Sequence, residues 1–308
     1  MKALPFLPLL LRQPCPRNAW LSSALLRATA LELVVLAGHA LLYPTGIAGE
    51  RRTPARPADG RIPAPSGTTA LPTGTTRNAR NAKNPGSAGT AGNTAHTDRP
   101  PVVLLHGFID NRSVFVLLRR SLARHGWRHL ESLNYSPLTC DIRTAAELLG
   151  RHIEEICART EHGEVDIVGH SLGGLIARYY VQRLGGDRRV RTLVTLGTPH
   201  AGTAVAPLAS AHPIVRQMRS GSAPIEELRL PAPGCRTRFV SFWSELDQVI
   251  VPAEAARIDH TDLDVTNVRV SGIGHLALPV HPAVAARIRQ ALDAHETARG
   301  ASGAASVA

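Results

Sequence analysis

The apolar residues after position 100 follow two alternating patterns. Short runs such as Val102-Val103-Leu104-Leu105 are apolar throughout, as in strands that are buried on both faces of a parallel sheet. Longer stretches such as 141–159 repeat apolar residues at the spacing of one helix face. The alternation predicts an α/β domain with a mostly parallel six-stranded sheet and helices on both faces. Strands are predicted over 102–105, 130–135, 165–168, 190–196, 238–243 and 267–270, and helices over 113–124, 141–159, 172–184 and 282–294.

A mostly apolar segment also lies near the N-terminus, over residues 20–43, where Arg27, Glu32 and His39 interrupt it. Its part without Arg27, residues 28–43, is shorter than the roughly 20 residues that span a bilayer. Four interpretations stay open: an uncleaved signal anchor, a signal peptide, an amphipathic membrane-surface helix, or an apolar helix packed on the domain. We favour a membrane-anchor or signal segment over 1–43, which predicts a membrane-anchored or secreted protein of the bacterial cell envelope or exterior.

The other boundaries follow from composition. Residues 44–98 are rich in Pro, Gly and Thr and contain almost no large apolar residues. Such a stretch cannot bury enough surface to offset its ordering entropy, so a disordered linker is predicted. The folded domain is expected over 99–298, with a flexible tail over 299–308.

Charge and cysteine content argue against a nucleic-acid-binding protein and against a zinc or thioredoxin-type protein. Residues 1–98 hold 11 Lys and Arg against 4 Asp and Glu, a net charge of +7, whereas residues 99–308 hold 24 against 20, a net charge of +4. Most of the excess positive charge therefore lies outside the predicted domain, which argues against nucleic-acid binding. The four cysteines form no C-x-x-C pair, so no zinc or thioredoxin-type motif is predicted. We expect neither a metal site nor a cofactor.

The chemistry centres on Gly169-His170-Ser171-Leu172-Gly173, which follows a predicted strand and opens a predicted helix. A turn that lifts a serine side chain clear of a sheet strains the backbone, and glycines on both sides remove the resulting crowding. The strand-turn-helix context makes Ser171 the candidate nucleophile, with Gly169 and Gly173 as the elbow glycines.

A serine nucleophile needs a base that is oriented by an acid. His275 lies in a glycine-containing loop after the last predicted strand, and Asp247 lies after the strand before it. We therefore predict a Ser171–Asp247–His275 triad and favour Asp247 over its neighbour Glu245 by loop position. Four other histidines are expected to support loops or to lie on the surface: His106, His200, His260 and His281.

An oxyanion hole requires two backbone donors. We assign one to the N–H of Leu172, directly after the nucleophile, and the other to the N–H of Phe108 in the loop after the first strand.

Together these motifs resemble bacterial triacylglycerol lipases and related esterases of the α/β-hydrolase superfamily over about residues 100–295. Gly197-Thr198-Pro199-His200-Ala201-Gly202-Thr203 is the most lipase-like string. The resemblance implies a minimal version of that fold, with six strands instead of eight and a small cap over about 200–234. It also implies hydrolysis of carboxylic, lipid-like acyl esters through an acyl-enzyme on Ser171.

Two alternatives stay open. An acyltransferase or a lipid-linked deacylase would use the same triad, and a non-catalytic hydrolase-fold binding protein would need no triad. The expected partners are an ester or lipid substrate and, through residues 20–43, a membrane; no nucleic acid is expected. The sequence assigns no substrate-binding residue.

Overall fold

The computed structural model describes residues 23–47, 99–108, 110–134, 141–205 and 212–304. Its centre is a sheet of six parallel strands in the order β2-β1-β3-β4-β5-β6, which confirms the predicted parallel sheet. The strands are β1 (Val102–Leu105), β2 (Leu130–Leu133), β3 (Val165–His170), β4 (Val190–Leu196), β5 (Arg238–Ser244) and β6 (Asp264–Val270).

Seven α-helices accompany the sheet in the described part of the chain: α1 (Ser23–Ile47), α2 (Val116–Arg124), α3 (Ile142–Thr160), α4 (Leu172–Arg183), α5 (Pro213–Gln217), α6 (Ala223–Glu227) and α7 (Pro282–Ala304). Two of them extend past predicted boundaries. Helix α1 continues beyond residue 43, and α7 continues into the segment 299–308 that was expected to be a tail. The rest of the predicted linker, residues 48–98, lies outside the described residues.

Alternating side chains of the strands bury two separate apolar layers. Val103, Leu105 and Ile167 face α3 and α4, whereas Val102 and Leu104 face α2 and α7. Helices cover both faces of a parallel sheet, so the side chains on both faces are buried. The uninterrupted apolar runs in the sequence follow from this burial.

Helix α1 packs on the second layer. Val35 and Ala28 are buried on the inner side of α1, and Val35 belongs to the same apolar cluster as the residues of α2 and α7. Among the described residues, no helix is long and apolar enough to cross a membrane. Of the four interpretations of the N-terminal segment, a helix that packs on the domain matches these contacts.

The region predicted as a cap contains the two five-residue helices α5 and α6. Ile214, Val215, Ile225 and Leu228 are buried in the first apolar layer. The cap is therefore seated on α3 and α4 by its own apolar side chains. Helices this short repeat no pattern, which explains why the sequence gives no clear period there.

A buried ion pair ties the sheet to α7. Arg191 on β4 donates to both carboxylate oxygens of Asp166 on β3, at 3.0 and 2.6 Å, and also to the carbonyl of Leu292 at 3.1 Å. Both side chains are almost fully shielded from water. Removing one member of such a pair leaves a charge in the interior without its partner.

We predict that Arg191→Leu lowers the free energy of unfolding by about 3–5 kcal/mol, because the Asp166 carboxylate loses its buried guanidinium. The matched control is Arg189→Leu, which breaks a pair of the same two-pronged geometry with Glu154 on the surface. The control should cost no more than about 1 kcal/mol. Urea denaturation measures both, and equal losses would contradict the distinction.

Candidate active site

The turn between β3 and α4 holds Ser171 in a left-handed backbone conformation, with φ 51° and ψ −119°. Few residues other than glycine adopt a positive φ, and such strain concentrates at functional sites. Two hydrogen bonds fix the turn: the Ser171 N–H donates to the Leu196 carbonyl at 2.9 Å, and Thr198 Oγ1 donates to the Ser171 carbonyl at 3.0 Å. The carboxyl end of β4 therefore supports the turn.

The glycines of the pentapeptide permit close backbone packing around this turn. A Cβ atom at Gly173 would lie 2.4 Å from the Leu105 carbonyl oxygen, and one at Gly169 would lie 2.5 Å from the Cα of Gly174. Helix α4 consequently begins in direct backbone contact with the end of β1. This contact brings the loop 106–108 beside Ser171.

The loops after β5 and β6 bring an acid and an imidazole together. His275 Nδ1 lies 2.8 Å from Asp247 Oδ2, and both side chains are buried. Asp247 Oδ1 accepts from the N–H groups of Val249 and Ile250 at 2.9 and 2.8 Å, which fixes the carboxylate. Burial lowers the pKa of His275, but the charge and hydrogen bond of Asp247, together with the charges of Asp110 and Glu32, raise that pKa above its ordinary value.

The competing residues lie elsewhere. Glu245 is half-exposed and pairs with Arg269. His200 is buried against Thr195 Oγ1 at 3.0 Å, and burial lowers its pKa well below the ordinary value. His106 Nδ1 contacts the Gly107 carbonyl at 2.8 Å. His260 contacts loop backbone, and His281 accepts from the N–H of Ala283 at the start of α7. Neither histidine lines the cavity described next.

Ser171 and His275 line one cavity of about 160 Å³. Asp247 and His275 form a hydrogen-bonded pair beside this cavity, and the hydrogen bonds among the described residues include none between Ser171 and His275. Catalytic hydrogen bonds often form only once substrate is bound. Most of the remaining wall is apolar: Phe108, Pro199, Val205, Val215, Met218, Val249, Ile250 and Leu276.

One predicted oxyanion donor, Phe108, lies on the cavity wall, and the other, Leu172, lies at the first position of α4. Phe108 lines the cavity, and its ring packs 5.4 Å from that of His212. Leu172 is the first residue of α4 and is fully buried. Its N–H is one of the first amides of α4, which have no acceptor within the helix. Within the described ranges, no three His, Cys, Asp or Glu side chains form a group that could hold a metal ion.

Two residues that the sequence analysis missed lie beside this site. His170 Nδ1 lies 3.2 Å from Asp110 Oδ2, and His170 Nε2 lies 3.2 Å from the carbonyl of His275. Asp110 and the His275 carbonyl therefore contact the two nitrogens of the His170 ring and fix its orientation. Burial raises the pKa of Asp110, but the hydrogen bond and charge of His170 lower it below its ordinary value. The only sequence signals were a histidine inside the pentapeptide and an acid just after the loop 106–108.

A comparison with known families matches part of this chain. A family model described as palmitoyl protein thioesterase matches residues 101–230 of this chain. That range includes Ser171 and the loop 106–108 and ends before Asp247 and His275.

Solved structures of lipolytic enzymes are similar to this chain. The mature form of the Bacillus licheniformis lipase BlEst2 has 15% sequence identity and a TM-score of 0.54, with 64% of this chain and 93% of that chain covered. The metagenome-derived lipolytic enzymes LipS and LipT give 12% identity, a TM-score of 0.51, and coverage of 64% and 95%. Aspergillus fumigatus lipase B gives 18% identity, a TM-score of 0.50, and coverage of 56% and 45%. At these identities the likeness is one of fold.

We predict that Gly173→Ala destabilises the protein by about 1–3 kcal/mol, because its Cβ would collide with the backbone at the end of β1. The control is Gly38→Ala in α1, where a Cβ would meet nothing within 4 Å. This helix-interior substitution should be neutral or stabilising by up to about 1 kcal/mol. Thermal unfolding measures both, and a Gly173→Ala protein as stable as the control would contradict the packing described here.

Proposed function

This chain has the α/β-hydrolase fold, and from that premise we propose that it is a serine hydrolase that cleaves carboxylic esters of lipid acyl groups. Ser171 is the nucleophile, His275 the general base and Asp247 the acid that orients it. The observation that carries the proposal is the buried 2.8 Å contact of Asp247 with His275 in loops that share an apolar cavity with Ser171.

In the proposed acylation step, the ester carbonyl binds in the cavity and Ser171 Oγ attacks it. His275 Nε2 takes the hydroxyl proton while Nδ1 donates to Asp247, which stabilises the imidazolium that forms. The N–H groups of Phe108 and Leu172 donate to the oxyanion. The C–O bond to the leaving alcohol then breaks, and the alcohol takes the proton from His275. Ser171 now carries the acyl group.

Deacylation repeats these steps with water. His275 takes a proton from the water, whose oxygen attacks the acyl carbonyl and forms a second oxyanion in the same position. Collapse releases the carboxylic acid and returns the proton to Ser171 Oγ. No cofactor enters either step.

The apolar wall supports an acyl substrate. Val205, Val215 and Met218 from the cap and Val249 and Ile250 from the loop after β5 give the cavity hydrocarbon surface that suits an acyl chain. The family model described as palmitoyl protein thioesterase supports a second candidate, a deacylase that cleaves a long-chain acyl thioester with the same residues. An acyltransferase differs only in that an alcohol replaces water in the second half-reaction.

We predict that the full chain hydrolyses p-nitrophenyl esters and that Ser171→Ala lowers kcat by about 10⁴-fold or more, because no other group replaces the nucleophile. Ser113→Ala is the matched control, since Ser113 is also buried but does not line this cavity. Ser171→Ala protein that keeps its fold and its activity would end the proposed mechanism.

The same assay separates the candidate substrates. Acyl esters and acyl thioesters from two to sixteen carbons are compared, with and without an acceptor alcohol. Esters cleaved faster than matched thioesters support the esterase proposal, and the reverse ranking supports the thioesterase. A transfer product that outweighs the free acid at modest alcohol concentration identifies an acyltransferase.

We further propose that the outer side of α1 associates with a membrane surface, consistent with action in the cell envelope or exterior. Leu33 and Val34 are 62% and 69% exposed, and Leu26, Leu36 and Leu41 are also exposed. Exposed apolar side chains on one helix favour shallow insertion at the interface between headgroups and acyl chains.

We predict that the protein co-sediments with phosphatidylcholine vesicles and that Leu33→Ser combined with Val34→Ser weakens this binding at least about tenfold, since each substitution removes apolar contact area. Leu230→Ser is the control, because Leu230 is 54% exposed but lies in the cap. If both variants bind as the unmodified protein does, α1 is not the contact surface.

A further inference from the structure

Glu32 of α1 contacts the loop that carries His275, although 243 positions separate the two residues along the chain. Its carboxylate accepts two backbone hydrogen bonds, from the N–H of Leu276 to Oε2 at 3.0 Å and from the N–H of Ala277 to Oε1 at 2.9 Å. These are the two amides directly after His275. One carboxylate therefore holds both residues that follow the proposed base.

The geometry is that of a helix cap supplied by another element. His275 begins a short run of turns in which the Leu278 N–H donates to the His275 carbonyl and the His281 N–H donates to that of Ala277. The first amides of such a run have no acceptor within it. A carboxylate normally satisfies them from the preceding residues, and here Glu32 does so from α1.

Close packing shows that the loop is built around this side chain. A Cβ atom at Gly274 would lie 2.7 Å from Glu32 Cδ and 2.8 Å from Glu32 Cγ. Glycine at position 274 therefore leaves the space that the stem of Glu32 occupies.

Glu32 completes a set of backbone contacts around His275. Ser244 Oγ donates to the carbonyl of Ile273 at 2.5 Å, before His275. His170 Nε2 contacts the carbonyl of His275 itself at 3.2 Å. Glu32 accepts from the two amides that follow, and it does not line the substrate cavity.

We propose that Glu32 is a positioning residue for His275, so that α1 forms part of the active site. Glu32 fixes the backbone after His275, and this fixes the ring between Asp247 and the cavity. The inference rests on the proposed role of His275 as the general base. It assigns to the N-terminal helix a catalytic contribution in addition to any role in membrane association.

The charge of Glu32 provides a second readout. The charged or titratable groups that face His275 are Asp247, Asp110, His170 and Glu32, from four different elements. Asp247, then Asp110 and then Glu32 raise the pKa of His275 against burial. The general base must be neutral to act, so activity rises with pH through this pKa. Removing the Glu32 charge should move the acid limb of kcat/KM to lower pH.

The test compares Glu32→Ala and Glu32→Gln in the full chain with a short p-nitrophenyl ester. Glu32→Ala should lower kcat about 10- to 100-fold with little change in KM, because a misplaced catalytic group slows chemistry rather than binding. Glu32→Gln keeps one acceptor oxygen and should lose less kcat, while its acid limb shifts as in Glu32→Ala. Thr29→Ala, at an exposed position one turn away on the same helix, is the control and should match the unmodified enzyme.

The outcomes distinguish a failure of the positioning role of Glu32 from a failure of the hydrolase proposal. If Ser171→Ala is inactive but both folded Glu32 variants keep kcat and the same acid limb, the positioning role is wrong and the hydrolase proposal stands. If the unmodified chain cleaves no ester, the role of Glu32 can still be tested by following the titration of the His275 ring by NMR. The His275→Gln variant identifies the signal of that ring. An unchanged His275 pKa in Glu32→Gln would overturn the proposal.

Discussion

The site depends on one constrained residue, because β3 must turn into α4 within the single left-handed position of Ser171. Two glycines permit that conformation, because the backbones of β1 and α4 meet at Gly173 and those of β3 and α4 meet at Gly169. Hydrogen bonds from the end of β4 then hold it. The same packing sets the loop 106–108 beside the serine. The parallel sheet places the other two residues of the site. The carboxyl ends of β5 and β6 lie at the same edge of the sheet, so the loops that follow them bring Asp247 and His275 together there.

A buried imidazole that must gain a proton during reaction needs negative charge nearby, because burial disfavours its charged form. Asp247 supplies most of that charge by direct contact, and Asp110 and Glu32 supply less from farther away. The contacts of His170 with Asp110 and with the His275 carbonyl link this second acid to the backbone of the base. The proposed base is thus held by side chains from four parts of the chain, and α1 is one of them.

The sequence predicted the features of the fold that depend on a local pattern of residues. The apolar run of β1 follows from burial on both faces of the parallel sheet, whereas the edge strands β2 and β6 are only partly buried and have mixed sequences. Glycine spacing marked the turn at Ser171. It could not predict contacts between distant segments. The hydrogen bonds of Glu32 to Leu276 and Ala277 cross most of the chain, and in the sequence Glu32 stood out only as a charge within an apolar segment. The sequence did not predict the cap helices α5 and α6, because five residues are too few to show a helical period.

The proposed mechanism requires a covalent acyl-enzyme on Ser171, and this species can be trapped. The full chain is mixed with an activated acyl ester, quenched in acid within the first turnover, and analysed by mass spectrometry as intact protein and after digestion. We expect one acyl group per molecule, located on Ser171, with a burst of the leaving alcohol equal to the enzyme concentration. Turnover without an adduct, or an adduct on another residue that persists in Ser171→Ala, would contradict it.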